Sequence, residues 1–295
     1  MLDRVFAPDS AFQNRFFFLA KRFVAGKTIE TALEAVAQLN AAGMSASLDF
    51  LGEDIFERRD AEKTRDIYLE MLSEIKRSEL NTNVSVKLTA IGLVIDEDFA
   101  FENLLAIIEK AQGNADPFVR IDMEGSAVTG ATLRLFERAY ALHRSVGPVL
   151  QAYLKRTPRD VERMIQLGAR VRICKGAYNE PPAIAYKEMP RIREQYLLCA
   201  RELLTSGNYP GIATHDRRLI AAIKAFVRSN NIARDRFEFQ MIYGVRPALQ
   251  RELVAEGYRL RVYVPFGTHW AKYFYRRVAE RKENLLFALS SMFSR

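Results

Sequence analysis

The sequence is short of the residues that build metal centres and disulfide frameworks. It has two cysteines, Cys174 and Cys199, far apart, and three histidines, His143, His215 and His269, none at ligand spacing. A zinc-type site and a disulfide-stapled scaffold are therefore not expected, and no metal is assigned. No apolar run approaches the roughly 18 residues of a membrane span. The opening MLDRVFAPDS lacks the apolar core of a secretory signal. Together these features read as a reduced, cytoplasmic protein. There is no GxGxxG, so a bound dinucleotide would not sit on a Rossmann phosphate turn. Lys and Arg outnumber Asp and Glu by 44 to 36, a net charge of +8, yet no basic run is dense enough for a nucleic-acid tail. The mild excess instead favours anionic ligands or an anionic lipid surface.

What is present is an alternation of two textures over 295 residues. Short β-rich runs occur at 45–52 (SASLDFLG), 83–90 (NVSVKLTA), 118–125 (FVRIDMEG) and 148–154 (PVLQAYL). They recur at 170–177 (RVRICKGA), 211–216 (GIATHD), 237–244 (FEFQMIYG) and 260–267 (LRVYVPFG). Short apolar runs with a Gly or polar residue at the exit are the mark of buried parallel strands. Between them lie helical stripes: Tyr68, Met71, Leu72 and Ile75 repeat at i, i+3, i+4, i+7, as do Leu104, Ile107, Ile108 and Ala111. TIETALEAVAQLNAAG opens on Thr-x-x-Thr and stops at Gly43, and ALQRELVAEGY also stops at a Gly. An open doubly wound sheet would show the same alternation, but eight strand–helix units favour a closed α/β barrel of the (β/α)8 TIM type. No low-complexity linker divides the chain, so residues 1–295 read as one domain, with 1–28 as an N-terminal helical extension. The Phe- and Arg-rich stretch 12–24 (FQNRFFFLAKRFV) reads as a helix packed on the domain, or else facing a membrane surface or a partner.

In such a barrel the working residues stand at the C-terminal ends of the strands. Those exits carry Asp49, Lys87, Asp122, Gln151, Arg172 with Lys175, His215, Gln240 and Tyr263. A charge in a strand is costly to bury unless paired, so Lys87, Asp122 and Arg172 require each other or a charged ligand. Each could be a structural ion pair. A converging set of cations, amides and a few acids suits an anionic substrate and a phosphate-bearing cofactor. A second signal is THWAKYFYRRVAER, which puts Tyr273, Arg276, Arg277 and Glu280 within two helical turns. Two guanidinium forks are suited to gripping a carboxylate, although the spacing is also that of a solvated basic turn with an ordinary Arg–Glu pair, the commoner arrangement.

The segments SLDFLGE, VSVKLTAIG, RIDMEG, QAYLKRT, RICKGAY, ATHD, FEFQMIYGVR and YVPFGTHWAKYFYRRVAERKEN together resemble the proline dehydrogenase family, in the family's order from about residue 23 onward. The likeness is to its compact monofunctional bacterial members. The resemblance implies a distorted barrel with non-covalent FAD that oxidises L-proline to Δ1-pyrroline-5-carboxylate, the first step of proline catabolism. It implies Arg276 and Arg277 on the proline carboxylate, Lys87 beside it, and Asp122 as the partner acid of Lys87. Arg172 is implied near flavin N5, and Asp122, Arg172 and Tyr263 as the catalytic set. Met123, Gln151, Lys175, Gly176, Ala177, Thr214 and His215 correspond to FAD contacts, and Glu280 lies near the ribose. Tyr178, Ile242, Tyr263 and Tyr273 correspond to walls around the proline ring. A quinone-type electron acceptor, transient contact with the inner membrane face and oligomerisation are consistent with the family. The chain departs from it at Ile242 (Leu is usual), Phe266 (Tyr), Cys174 (Val) and in W-A-K-Y at 270–273, which affects pocket shape rather than reaction class. Tyr273 favours proline over hydroxyproline. The rival readings are another flavin barrel without the arginine pair, and a non-catalytic barrel that binds an acidic metabolite.

Overall fold

The computed structural model describes residues 20–52 and 55–271. Among them eight strands close into an all-parallel barrel in sequence order, β1 to β8, with β8 hydrogen-bonded back to β1. The strands are β1 (Ser45–Phe50), β2 (Thr82–Val86), β3 (Val119–Ile121), β4 (Val146–Gln151), β5 (Arg172–Cys174), β6 (Gly211–Ala213), β7 (Glu238–Ile242) and β8 (Leu260–Phe266). Helix α1 (Ile29–Ala41) precedes β1. The crossovers are α2 (Arg58–Ser78), α3 (Glu97–Ala111), α4 (Ser126–Leu142), α5 (Thr157–Leu167), α6 (Met189–Ser206), α7 (Arg217–Ser229) and α8 (Pro247–Ala255). The expected (β/α)8 architecture is the observed one.

The helices form where local chemistry says they should. Thr28 and Thr31 make a reciprocal capping box at the start of α1. Asp96 caps α3 by accepting the Phe99 N–H at 2.8 Å, and Asp216 caps α7 through the Arg218 N–H at 3.1 Å. The stripe Tyr68, Met71, Leu72 and Ile75 is buried against the barrel wall. Its Tyr68 hydroxyl donates to the Ser85 carbonyl at 2.8 Å and ties α2 to β2.

The main hydrophobic core lies between the helices and the strand faces turned toward them: Ala46, Leu48, Val84, Val86, Val119, Ile121, Phe239, Met241, Val262 and Val264. The alternate residues face the lumen. There the Tyr263 hydroxyl of β8 reaches Asp122 beyond β3, and Arg172 of β5 reaches Ser85 of β2, contacts that only a path across the lumen allows. The barrel is thus apolar outside and polar within.

The strands are shorter than the runs that announced them. The run over 83–90 leaves the ladder at Lys87 and turns into a 3-10 helix, Leu88–Ile91. The cause is Glu124, whose carboxylate accepts the Thr89 N–H at 3.1 Å and the Thr89 hydroxyl. Residues 20–26 pack at the strand exits: Ala25 N–H donates to the Pro265 carbonyl at 2.9 Å, and Ala20 and Val24 cluster with Leu51, Trp270 and Ala271. The expected helical extension over 1–28 lies outside the described residues up to 19. The helix expected to bear Tyr273, Arg276, Arg277 and Glu280 also lies outside them.

Close packing on the barrel floor depends on Gly147 of β4. A Cβ there would meet the Arg170 carbonyl at 2.1 Å and the Phe118 ring at 2.7 Å. Gly147→Ala should therefore cost about 1–3 kcal/mol or more of stability. Urea denaturation measures this, and an unchanged midpoint would contradict the packing.

Candidate active site

The strand exits and the lumen just below them bring together Asp49, Lys87, Asp122, Arg172 and Tyr263. Lys87 donates to both oxygens of Asp49 at 2.8 and 2.9 Å and to the Tyr263 hydroxyl at 3.2 Å, and lies 3.5 Å from Asp122. Asp122 Oδ1 accepts from Arg172 Nη1 at 2.9 Å and from the Ser85 hydroxyl at 2.7 Å, while its Oδ2 accepts the Tyr263 hydroxyl at 2.6 Å. The partner acid of Lys87 is thus not Asp122 alone. Asp49, wholly buried on β1, holds it more closely, and sequence reasoning marked it only as a charged exit.

The two acids differ in their electrostatics. Burial pushes the Asp49 carboxyl up to about 6, against the attraction of Lys87, with the charge of Asp122 adding to the rise. Burial also acts to raise Asp122, but Lys87 and Arg172 outweigh it and hold its carboxyl below the ordinary range. One cation serves Asp49, whereas two serve Asp122. The Tyr263 phenol is pushed well above its usual value, first by burial and then by Asp122 and Asp49, so it stays protonated and donates.

Arg172 is buried, with its guanidinium 5.2 Å from the Tyr263 ring centroid. Its Nε donates to Gln240 and its Nη1 to Asp122 and Ser85, which leaves Nη2 without a partner among the described residues. Gln151 closes β4: its Nε2 donates to the carbonyls of Met123 at 3.0 Å and Glu124 at 2.9 Å, while its buried Oε1 has no partner among the described residues. That orphaned acceptor needs a donor from a ligand or water.

The β5 exit carries Lys175, Gly176, Ala177 and Tyr178, all half-buried. Gly176 has φ +111°, and a Cβ there would lie 2.1 Å from the Tyr153 ring, so only glycine fits. Glu180 pins this loop to the start of α4 by accepting the Ser126 N–H at 2.7 Å and its hydroxyl. Asp216 accepts from Lys175 at 2.8 Å and from Arg193 at 2.7 Å. Burial acts to raise Asp216, but the bonds from Lys175 and Arg193 prevail and hold it well below the carboxylate range. Lys175 and Arg193 thus share one carboxylate.

Thr214 accepts the Asp216 N–H at 3.1 Å. His215 Nε2 accepts the Ile242 N–H at 2.8 Å, which puts the ring proton of the neutral imidazole on Nδ1. Met123, Gln151, Lys175, Gly176, Ala177, Thr214 and His215 thus stand at the exits of β3 to β6, and Lys87, Tyr178 and Ile242 at those of β2, β5 and β7, whereas Arg172 opens β5 and Tyr263 is the middle residue of β8, so these two lie in the lumen rather than at the exits expected. Ser85, Glu180 and Asp216 were not singled out from sequence, and Asp49 and Gln240 were marked only as polar strand exits. The alternation V-S-V-K, V-R-I-D and F-E-F-Q-M was the signal that could have found those on the strands.

A closed (β/α)8 barrel with a charged cluster at the C-terminal mouth defines an α/β barrel of enzymatic type. Its residues 32–288 match the sequence profile of the family described as proline dehydrogenase, and the chain belongs to that family. It is 40% identical over 273 residues to proline dehydrogenase 1 of Bacillus subtilis (strain 168), a match covering 92% of this chain and 90% of that protein. It is 38% identical over 285 residues to the proline dehydrogenase of Deinococcus radiodurans, covering 95% and 92%. Its fold is similar to proline utilization A (PutA) from Bdellovibrio bacteriovorus inactivated by N-propargylglycine, with a TM-score of 0.84 and 25% identity. That match covers 93% of this chain but only 34% of the larger protein.

Asp49 takes up its proton near pH 6 in the folded protein, against 3.8 as its ordinary value. A carboxyl whose folded pKa is raised favours the folded state as pH falls, so acidification from about pH 7 to 5 adds stability through Asp49. Asp122 and Glu238, both lowered, act the other way: the stability they provide is present above their unfolded values near 4 and is lost on further acidification. Urea denaturation should therefore show the wild type losing stability between about pH 5 and 7 relative to Asp49→Asn. Difference infrared spectra should show a carboxylic-acid band with a midpoint near pH 6 that the variant lacks. Parallel stability profiles and no such band would remove the assignment.

Proposed function

We propose that this protein is an FAD-dependent L-proline dehydrogenase that forms Δ1-pyrroline-5-carboxylate in the cytoplasm, at or near the inner membrane face, and passes electrons to a quinone-type acceptor. The observation that carries the reading is the five-residue cluster of Asp49, Lys87, Asp122, Arg172 and Tyr263 at the mouth of a barrel whose family is established. Family membership supplies the reaction class, and the residues around the cluster fit the cofactor. Among the described residues Gln151 offers a buried acceptor without a partner, and Arg172 a guanidinium nitrogen without one. Lys175 and Arg193 bring two cations to the β5 and β6 exits, the kind of side chain that meets a pyrophosphate. Met123, Gln151, Arg172, Lys175, Gly176, Ala177, Thr214, His215 and, on the last helix, Glu280 would hold the FAD.

When bound, FAD supplies the two-electron acceptor for the hydride that proline loses from C5, while the ring nitrogen keeps its proton as the C=N bond forms. The protein contributes placement and charge. Arg276 and Arg277 anchor the carboxylate, with Lys87 beside it. Tyr178, Ile242, Tyr263 and Tyr273 wall the ring. Arg172 is the cation that answers negative charge gathering on the reduced cofactor. Proline must enter the reaction as the neutral amine, so the rate rises with pH until the bound amine has lost its proton.

Anaerobic L-proline should bleach the flavin absorbance of the FAD-loaded protein, and a flavin that proline leaves oxidised would end the reading. Arg277→Met should raise the proline KM about tenfold or more, as expected for one charge-assisted bond worth roughly 1.5–3 kcal/mol. An unchanged KM in steady-state kinetics would move the carboxylate elsewhere.

A further inference from the structure

Below Arg172 the lumen holds polar groups that the proposed reaction does not use. Glu238 and Gln240 stand two residues apart on β7, so both face inward. Arg172 Nε donates to Gln240 Oε1, and Gln240 Nε2 donates to Glu238 Oε1 at 2.6 Å. The same Glu238 oxygen accepts Arg261 Nε at 2.8 Å. Arg261 is fixed in turn by donating Nη2 to Asp116 at 3.0 Å and Nη1 to the Ala46 carbonyl at 2.6 Å. Burial acts to raise the Glu238 carboxyl, but Arg261 outweighs it and keeps the group charged.

The direction of the Gln240 amide follows from this. Its oxygen faces a guanidinium, which only donates, and its nitrogen faces a carboxylate, which only accepts. A flipped amide would set oxygen against oxygen on one side and N–H against N–H on the other. Asp122 alone does not fix Arg172, because its carboxylate is shared with Lys87, Ser85 and Tyr263. A guanidinium on a long flexible stem keeps one edge aimed only when its other edge is held.

We propose that Gln240 and Glu238 are positioning residues for Arg172: Glu238, locked by Arg261, sets the Gln240 amide, and that amide holds Arg172 Nε so that Nη1 meets Asp122 and Nη2 stays open to a ligand. The consequence for catalysis rests on the proposed function, whereas the consequence for Arg172 itself does not. The test therefore has two parts, on wild type, Gln240→Met and the exchange pair Glu238→Gln with Gln240→Glu. Methionine keeps length and apolar volume but neither amide atom. The exchange pair keeps an acceptor for each arginine while reversing the bond between 238 and 240: a carboxylate at 240 accepts from Arg172 and from an amide at 238 whose oxygen accepts from Arg261.

In the flavin-free protein, hydrogen exchange at Arg172 Nε–H, assigned by its loss in Arg172→Lys, should be protected in the wild type and the exchange pair. It should be at least about tenfold faster in Gln240→Met. In FAD-loaded protein, anaerobic stopped-flow with L-proline should show the limiting rate of flavin reduction falling roughly 10- to 100-fold in Gln240→Met. The apparent Kd for proline should stay within about twofold, and the exchange pair should recover most of the rate. Unchanged Nε–H exchange in Gln240→Met overturns the inference, as does an exchange pair no better than Gln240→Met in both readouts. A wild-type protein whose flavin proline does not reduce sinks the proposed function instead, and Nε–H exchange alone then decides the role of Gln240.

Discussion

The Asp122 carboxylate is the constraint around which the mouth of the barrel is organised. It stands just past β3 and binds groups from β2, β5 and β8 at once: the Ser85 hydroxyl and Lys87, Arg172, and the Tyr263 phenol. A buried carboxylate with these partners is ionised, and each partner is held because the carboxylate is there. Loss of one member of such a set costs about 3–5 kcal/mol, because it leaves an uncompensated buried charge. The same bonds that close the lumen of the barrel also aim its charged groups. Stability and site geometry are therefore not separable at this position.

A lumen built this way needs room as well as charge. Most β/α barrels fill the interior with layers of branched apolar side chains. Here the inward positions of several strands carry long polar groups, and small residues on neighbouring strands make space for them. A Cβ on Gly211 of β6 would lie 2.5 Å from the Gln240 amide nitrogen, and one on Gly147 of β4 would overlap the Arg170 carbonyl. Arg120 shows the cost of the arrangement. It donates to the carbonyls of Pro148 and Arg170 and lies 4.6 Å from the Phe118 ring centroid. Burial, then Arg172 and Arg170, push its pKa well down. A cation accepted on backbone carbonyls and an aromatic face is held by geometry more than by charge pairing.

The fold was legible because its signal is periodic. Eight runs with polar exits, separated by stripes such as Tyr68, Met71, Leu72 and Ile75, leave few architectures open. The exits were legible for the same reason: a charge at a strand end needs a partner, and Lys87, Asp122 and Arg172 found one another. Partner choice was not legible. Nothing in the spacing of Asp49 says that it lies nearer Lys87 than Asp122 does, because that depends on barrel register, where Asp49 pairs with Ser85 across β1 and β2. The polar floor was not legible, for a more instructive reason. Strict alternation in F-E-F-Q-M ordinarily marks a strand with one wet face, and here the polar face is the dry one. Residues such as Glu180 and Asp216 act from loops and caps, where no period exists to reveal them.

The charges inside the lumen also bear on why a helix beyond β8 should matter. Asp49, Asp122, Glu238 and half-buried Asp116 stand against Lys87, Arg172, Arg261 and Arg120. With all four carboxylates ionised the set is neutral, and its members are largely committed to one another. A substrate carboxylate entering the mouth therefore finds little uncommitted positive charge in the barrel itself, and burying it unpaired would cost several kcal/mol. The compensating cations must come from outside this set. On the proposed reading they are Arg276 and Arg277, and a pair rather than a single arginine is reasonable because Lys87 is already held by Asp49. Protonation of Asp49 alters this balance: below about pH 6 the lumen gains a positive charge and Lys87 loses its nearest ionic partner. The carboxylate of the substrate should then be held more tightly, and the added positive charge works against the protonated form of the amine that acid pH itself favours. Acid pH on this argument strengthens binding through the buried aspartate rather than through the arginines that touch the substrate, whereas the loss of turnover comes from protonation of the amine itself.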